Sequence, residues 1–374
     1  MMDWKKTTEI ALNTTRDKGA SYSDIRIVQT EEEGVSVKDG VPELTDRSES
    51  LGFGIRVIAD GCWGFAASSD FEPDNLKKTA ELAVKIAKAS AKLKKTDVIL
   101  APLELVEPHK REIIDSYQTP IEIDPFTVTL TQKLEYLLHL SELMSNVSWI
   151  RTSDAFMNFR KEKKLFASSE GAKIDQLIIH TGAGISATAM RAHRDMAARS
   201  YPNSSGQYES RGYELIKELS LEENAERIAQ QAVALLDAKP CPSGRKTIII
   251  DGPMASLQIH ESIGHPLELD RVFGAEKNFS GTSFATTDQL GKLKYASEIV
   301  NVAADPTAPG GLGTFGYDDE GIKAKKDYLI KDGILVGYLS SRQTAHIIGR
   351  KSNKIRHAGC KAACFMRYAD IQSL

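Results

Sequence analysis

Cysteine is scarce in this 374-residue chain: four residues, at positions 62, 241, 360 and 364. So few and so scattered, they do not make a disulfide framework. Long apolar runs are missing too. No stretch approaches the roughly 20 apolar residues of a membrane span. The N-terminus, MMDWKKTTEIALNTTRDKG, has no apolar core of signal-peptide length. The expectation is a cytoplasmic protein without a membrane contact. Nor is either charge in excess. With 48 Lys and Arg against 51 Asp and Glu, the net charge is −3, which gives a nucleic-acid partner no electrostatic support. Lys161, Lys163 and Lys164 sit among acidic residues and read as a solvated face. No internal repeat of 20–50 residues is evident. What is present, 41% hydrophobic and 26% charged residues, is the profile of a globular chain. The length suits two or three domains.

The pattern along the chain predicts an α+β protein of three units. In the first, residues 1–98, an amphipathic helix over 4–19 ends at Gly19. Short β-rich runs with Asp-Gly turns follow as an antiparallel meander. A helix over 74–94 with a lysine-rich face closes the unit. The second unit, 99–240, is expected as α/β. It starts with a proline-containing connector over 99–126 and a helix over 129–146. Strands hold His180 and, nearby, His193; both read as ordinary surface or satisfied histidines. A helix over 220–238 has Ser220 as its cap and Glu223 three residues on. The third unit, 241–374, opens with a strand, RKTIIID, and then Gly252-Pro253, with Pro253 placed to start a helix.

That helix runs into HESIGHPLELD, residues 260–270. The zinc-protease signature H-E-x-x-H spaces its histidines by four; His260 and His265 are five apart. On a regular α-helix that spacing turns the two side chains about 140° away from each other. Two residues favour a distortion. Gly264 weakens the helix just before the second histidine, and Pro266 lacks an N–H and pushes His265 out of the α region. A π-type turn with i to i+5 bonding realigns the rings, and such turns gather at functional sites. The sequence therefore predicts a helix over about 254–264 with a π-like or broken last turn. The two imidazoles would then suit zinc or a similar divalent ion. Glu261 would be free to act as general base on a metal-bound water. Glu268, three residues past His265, could orient it. On spacing alone, a helix end with two surface histidines is the favoured reading.

The segments GASYSDIR, LGFGIRVIADGCWGFAASS, EKKLFASSEGAKIDQ, HESIGHPLELDRVFG, GTSF and FGYDDEGIKAK, in this order, resemble the TldD/PmbA family of metallopeptidases, also known as modulators of DNA gyrase. The likeness runs from about residue 8 to residue 353. H-E-x-x-x-H is the mark of the TldD-like branch. The resemblance implies that His260 and His265 are metal ligands and that Glu261 is the catalytic glutamate. It also implies a zinc-type peptidase acting on unfolded or extended peptides inside the cavity of a dimer, formed with itself or with a PmbA-like subunit. GLGTFG, residues 311–316, has the G-x-G-x-x-G form but neither a strand before it nor a helix after it. The carboxylates of Asp318, Asp319 and Glu320 would repel a pyrophosphate. The resemblance implies a loop near the active cavity that could contact substrate, with Asp318, Asp319 and Glu320 as substrate-loop or supporting residues; a plain flexible loop is the other reading.

The chain departs from the family after Asn353. KIRHAGCKAACFMRYADIQSL contains nothing like the family's R-M-T-N segment or the downstream cysteine that the resemblance implies as third ligand. Cys360 and Cys364 fall too early for that role. With His357 they form H-x2-C-x3-C, three ligands where such clusters use four. The expectation is a metal site short of one ligand and weak in metal. Two rival readings stand beside the peptidase: a non-catalytic PmbA-like partner subunit, and a gyrase regulator supported by the family's name alone.

Overall fold

The computed structural model describes residues 4–103, 112–193, 195–204, 206–349 and 369–371. Helix α1 (Trp4–Asp17) leads into four long strands and their attachments: β1 (Tyr22–Lys38), β2 (Val41–Ala59), β3 (Cys62–Ser68), α2 (Pro73–Ala91), β4 (Ile113–Gln118), α3 (Leu130–Ser145), β5 (Ile150–Ser168), β6 (Ala172–Ala192), β7 (Asp195–Tyr201) and β8 (Gln207–Glu209). These strands make one sheet in the order β3-β2-β1-β5-β6-β4, with β7 and β8 also on β6. The Asp-Gly turns form as the sequence predicts. Asp39-Gly40 and Asp60-Gly61 both take positive φ (50° and 73°; 50° and 74°), the backbone of tight hairpins.

The first two units share this sheet. β1 pairs antiparallel with β5 from Asp24↔Ser168 to Lys38↔Asp154. The helices cover it in two groups. α1 and α2 pack over Ile25, Ile27, Ile55 and Val57. α3 and α5 (Leu221–Leu235), the latter preceded by the short α4 (Glu214–Glu218), pack over Val35, Val37, Met157 and Ile185. The β1 residues in both cores are odd-numbered, so they lie on one side of the strand. Each fully buried isoleucine there contributes roughly 1.5–3 kcal/mol.

Several local expectations need correction. The connector contains β4, which pairs parallel with β6. α5 has no side-chain cap: Ser220 is left-handed (φ 48°), so its hydroxyl is out of capping geometry. RKTIIID is not a strand; residues 241–250 are irregular and exposed, with Ile249 fully so. A β-branched run forms a strand only where another strand completes its hydrogen bonds, and none does so among the described residues.

The third unit has α6 (Gly252–Ile259), α7 (Leu269–Val272), α8 (Lys277–Ser280), β9 (Val300–Ala304), β10 (Asp327–Lys331), β11 (Ile334–Leu335), α9 (Arg342–Ile347) and β12 (Ala369–Ile371). Its four strands form a separate sheet, β11-β10-β9-β12. Its core joins Ile263, Leu267 and Leu269 to Val302, Leu329, Ile330 and Leu335, and reaches Ile178 on β6. Even-numbered residues of β1 face this unit: Asp24 holds Arg56, which contacts Glu320, and Arg26 lies 3.7 Å from Asp319. No helix among the described residues is long and apolar enough to cross a membrane.

Candidate metal centre

Asp251 starts α6, its carboxylate accepting the N–H of Met254 at 3.1 Å, and Pro253 occupies the first turn. The helix is regular to Ile259. Residues His260–Gly264 then form a π-turn, closed by the His265 N–H donating to the His260 carbonyl, and His265–Leu267 tighten into a 3-10 turn. The five-residue spacing is accommodated by the expected π-turn, but His265 itself stays in the right-handed helical region (φ −60°, ψ −44°) despite the proline that follows it. The two imidazoles sit edge to face, ring centroids 4.6 Å apart at 78°. One potential ligand atom from each of His260, Glu261 and His265 lies within 4.8 Å of the others.

The environments of the three differ. His260 and His265 are largely covered, whereas the Glu261 side chain is 62% exposed, with a carboxylate oxygen 3.7 Å from His260 Nε2. His265 Nδ1 is buried with no hydrogen-bond partner, and the nearest Glu268 oxygen is 3.5 Å away. A buried imidazole nitrogen left unbonded is costly. Two largely covered imidazoles with a carboxylate, their ligand atoms within 4.8 Å of one another, are a donor set that suits a borderline divalent ion. The residues present therefore fit a metal.

The strand-like segment after the turn is pinned from outside. Leu339 donates its N–H to the Leu267 carbonyl and accepts from the Leu269 N–H, at 2.8 and 2.9 Å. Ser283 Oγ donates to the Pro266 carbonyl and the Tyr295 hydroxyl to the Ser262 carbonyl, both at 2.6 Å. Tyr295 does not stand out in sequence, because it lies well downstream of the motif; Ser283 falls in the GTSF segment, but nothing in that segment points to the histidine turn.

Asp318, Asp319 and Glu320 are engaged with the large sheet. Asp319 pairs with the buried Lys164 at 2.7 Å, and Glu320 accepts the Arg342 N–H at 2.8 Å. Asp318 accepts the N–H groups of Glu320 and Ile322. Burial first, and then the Glu320 charge, push its carboxyl up to about 8. Just before them, the glycine-rich loop is held by Gln176, whose amide accepts from the N–H groups of Gly316 and Tyr317 and donates to the Tyr317 carbonyl. Gly316 is required by close approach: a Cβ there would sit 2.4 Å from Tyr117 Cβ. The loop walls a cleft of about 680 Å³, opposite Tyr117, Pro120 and Arg211. His180 lies on β6 and His193 in the exposed β6–β7 turn. His357, Cys360 and Cys364 lie outside the described residues.

The fold and the histidine turn meet in one class of protein, the metallopeptidases built from three such units. Family models of the PmbA/TldA metallopeptidase match the chain three times: domain 1 at residues 23–87, the central domain at 123–236 and the C-terminal domain at 243–368. A metalloprotease of Methanocaldococcus jannaschii is 32% identical over 334 residues, 87% of this chain and 67% of that protein. The metalloprotease TldD homolog of Haemophilus influenzae is 22% identical, over 89% of this chain and 65% of its own length. Among solved structures, a Bacteroides thetaiotaomicron protein described as a modulator of DNA gyrase superposes with a TM-score of 0.72 at 14% identity, over 94% of this chain and 76% of that one. TldE of Thermococcus kodakarensis gives 0.64 at 18%, over 92% and 72%. The chain belongs to the PmbA/TldD metallopeptidase family. The matched region spans about two thirds of the length of the curated relatives.

Proposed function

We propose that this protein hydrolyses peptide bonds in unfolded or extended peptides, with His260 and His265 holding a zinc or similar ion and Glu261 moving the proton. The observation that carries the reading is the π-turn, which brings two imidazoles to 4.6 Å with a free carboxylate beside them. A divalent ion held there supplies Lewis-acid polarisation of a peptide carbonyl and of a water molecule. His260 and His265 contribute neutral ring nitrogens. Glu261, exposed and adjacent to His260, takes a proton on a carboxylate oxygen from the attacking water and returns it to the leaving amine. The names of the relatives support a metalloprotease. Extended substrates and a dimeric assembly, with itself or with a PmbA-like subunit, rest on the family resemblance. Glu268 is proposed to orient His265, from which it lies 3.5 Å.

The test is metal analysis together with cleavage of an unfolded protein such as reduced casein. With divalent metal supplied in excess to offset a weak site, Glu261→Ala is expected to keep binding it and lose turnover; His260→Ala loses both. Metal content indifferent to His260 and His265 would refute the site, and metal loss in Glu261→Ala would reverse the assigned roles. Catalytic zinc sites use three protein ligands and a water. The binding constant of this chain, set against that of the Methanocaldococcus jannaschii relative, therefore reads directly whether two histidines suffice.

A further inference from the structure

We infer that Tyr295 is a positioning residue for the histidine pair: its hydroxyl replaces the hydrogen bond that Pro266 removes and so fixes the shape of the π-turn. The inference deepens the metallopeptidase reading and rests on it for its relevance to metal. In an α-helix the carbonyl of residue 262 receives the N–H of residue 266. Residue 266 is proline and has none. The Ser262 carbonyl, midway between the two histidines in sequence, thereby loses its helical donor. The Tyr295 hydroxyl stands 2.6 Å from that oxygen and donates to it.

The phenol is mounted rigidly. The N–H groups of Tyr295 and Ala296 donate to the Gly333 carbonyl at 2.8 and 3.1 Å. The ring packs on Phe284, centroids 5.5 Å apart, and against the core that contains Ile263 and Leu267. Without that donor, the turn can satisfy the Ser262 carbonyl by tightening onto the His265 N–H or by opening towards water, since residue 266 has no N–H to give. Either movement swings His265 relative to His260, since one residue of helical phase is about 100°. Partial burial also pushes the phenol up to about 12, so it remains a donor at any working pH.

The experiment uses Tyr295→Phe, which keeps the ring and deletes only the hydroxyl, beside Phe284→Leu, which disturbs the same packing and leaves the hydroxyl. Two readouts are taken. Hydrogen exchange of the 259–267 amides in metal-free protein reads the turn itself, and Co2+ titration by absorption reads the ligand geometry. For Tyr295→Phe the expectation is at least tenfold faster exchange at the His265 amide. Co2+ binding should weaken roughly 10- to 100-fold, the effect usual for partners that orient metal ligands, with an altered visible spectrum. Phe284→Leu should leave both near wild type. Unchanged exchange and unchanged Co2+ affinity in Tyr295→Phe overturn the inference. Equal loosening of the turn in both variants does so as well, since it would mean that packing alone is responsible. If the parent protein binds no Co2+ while Tyr295→Phe still loosens the turn, the metal reading falls and the positioning role stands.

Discussion

Replacing Arg342 by Met should cost the protein about 3 kcal/mol, and the structure says where the loss arises. Arg342 opens α9 and is 1% exposed. Its guanidinium donates to both oxygens of Glu170, at 2.6 and 2.9 Å, and its Nε donates to the Ala101 carbonyl at 2.8 Å. The same group lies over the Tyr22 ring at 5.6 Å. One side chain thus ties the third unit to the turn between β5 and β6, to the connector and to β1. Methionine preserves most of the volume, so the loss is polar. Removing one partner of a buried pair costs about 3–5 kcal/mol. Glu170 is 37% exposed and water can take it over, which brings its share to about 1–2 kcal/mol. The Ala101 carbonyl, on a residue 3% exposed, adds about 1–2 kcal/mol when left unbonded. That is a large part of an ordinary stability of 5–15 kcal/mol. Urea unfolding followed by fluorescence is the assay, with the midpoint read at constant slope. A Glu170→Gln partner completes a double-mutant cycle. A loss below about 0.5 kcal/mol, or no coupling between the two positions, would show that the third unit is not held by this arginine.

Asp318 makes stability depend on pH in an unusual direction. Its folded carboxyl is raised from 3.8 to about 8, so between those values the folded state binds the extra proton and stability falls as pH rises. The melting temperature should drop between pH 5 and 8, and Asp318→Asn should flatten that slope; a parallel slope in the variant contradicts the assignment. Ile249→Lys, at a fully exposed position, should change stability by less than about 0.5 kcal/mol and reduce self-association in light scattering. A fall of several degrees in melting temperature would mean that the isoleucine run is covered in solution.

The parts of the fold that the sequence discloses are those encoded within a few residues. The Asp-Gly hairpins form because those residues accept positive φ, and α3 begins at Thr129 with the capping box that its spacing allows. The π-turn is legible for the same reason, since a five-residue histidine spacing, Gly264 and Pro266 are all local. Features that depend on distant partners are not. β4 alternates poorly in burial and is a strand only because β6 lies beside it. RKTIIID has strand propensity but no partner strand among the described residues. The β1–β5 pairing, which merges the first two units, joins residues more than a hundred positions apart and leaves no mark in either strand. The site divides along the same line: His260, Glu261 and His265 can be read from the motif, whereas Tyr295, Ser283 and Leu339, which hold it, are defined only by their contacts.

The shared sheet also has a consequence for biosynthesis. β1 leaves the ribosome early, and β2 can fold back on it at once through the Asp39-Gly40 turn. Its other edge waits for β5, because Lys38 pairs with Asp154 and Asp24 with Ser168. At translation rates of about 5–20 residues per second, that wait is on the order of ten seconds. For that interval the nascent chain presents a long unpaired strand edge, the kind of surface that recruits chaperones or neighbouring chains. The interior of β1 carries Glu31, Glu32 and Glu33 in succession, and charges on an open edge discourage such pairing. In the finished sheet those charges are met by Arg47 from β2 and, once they are made, by Lys133, Arg160 and Lys161.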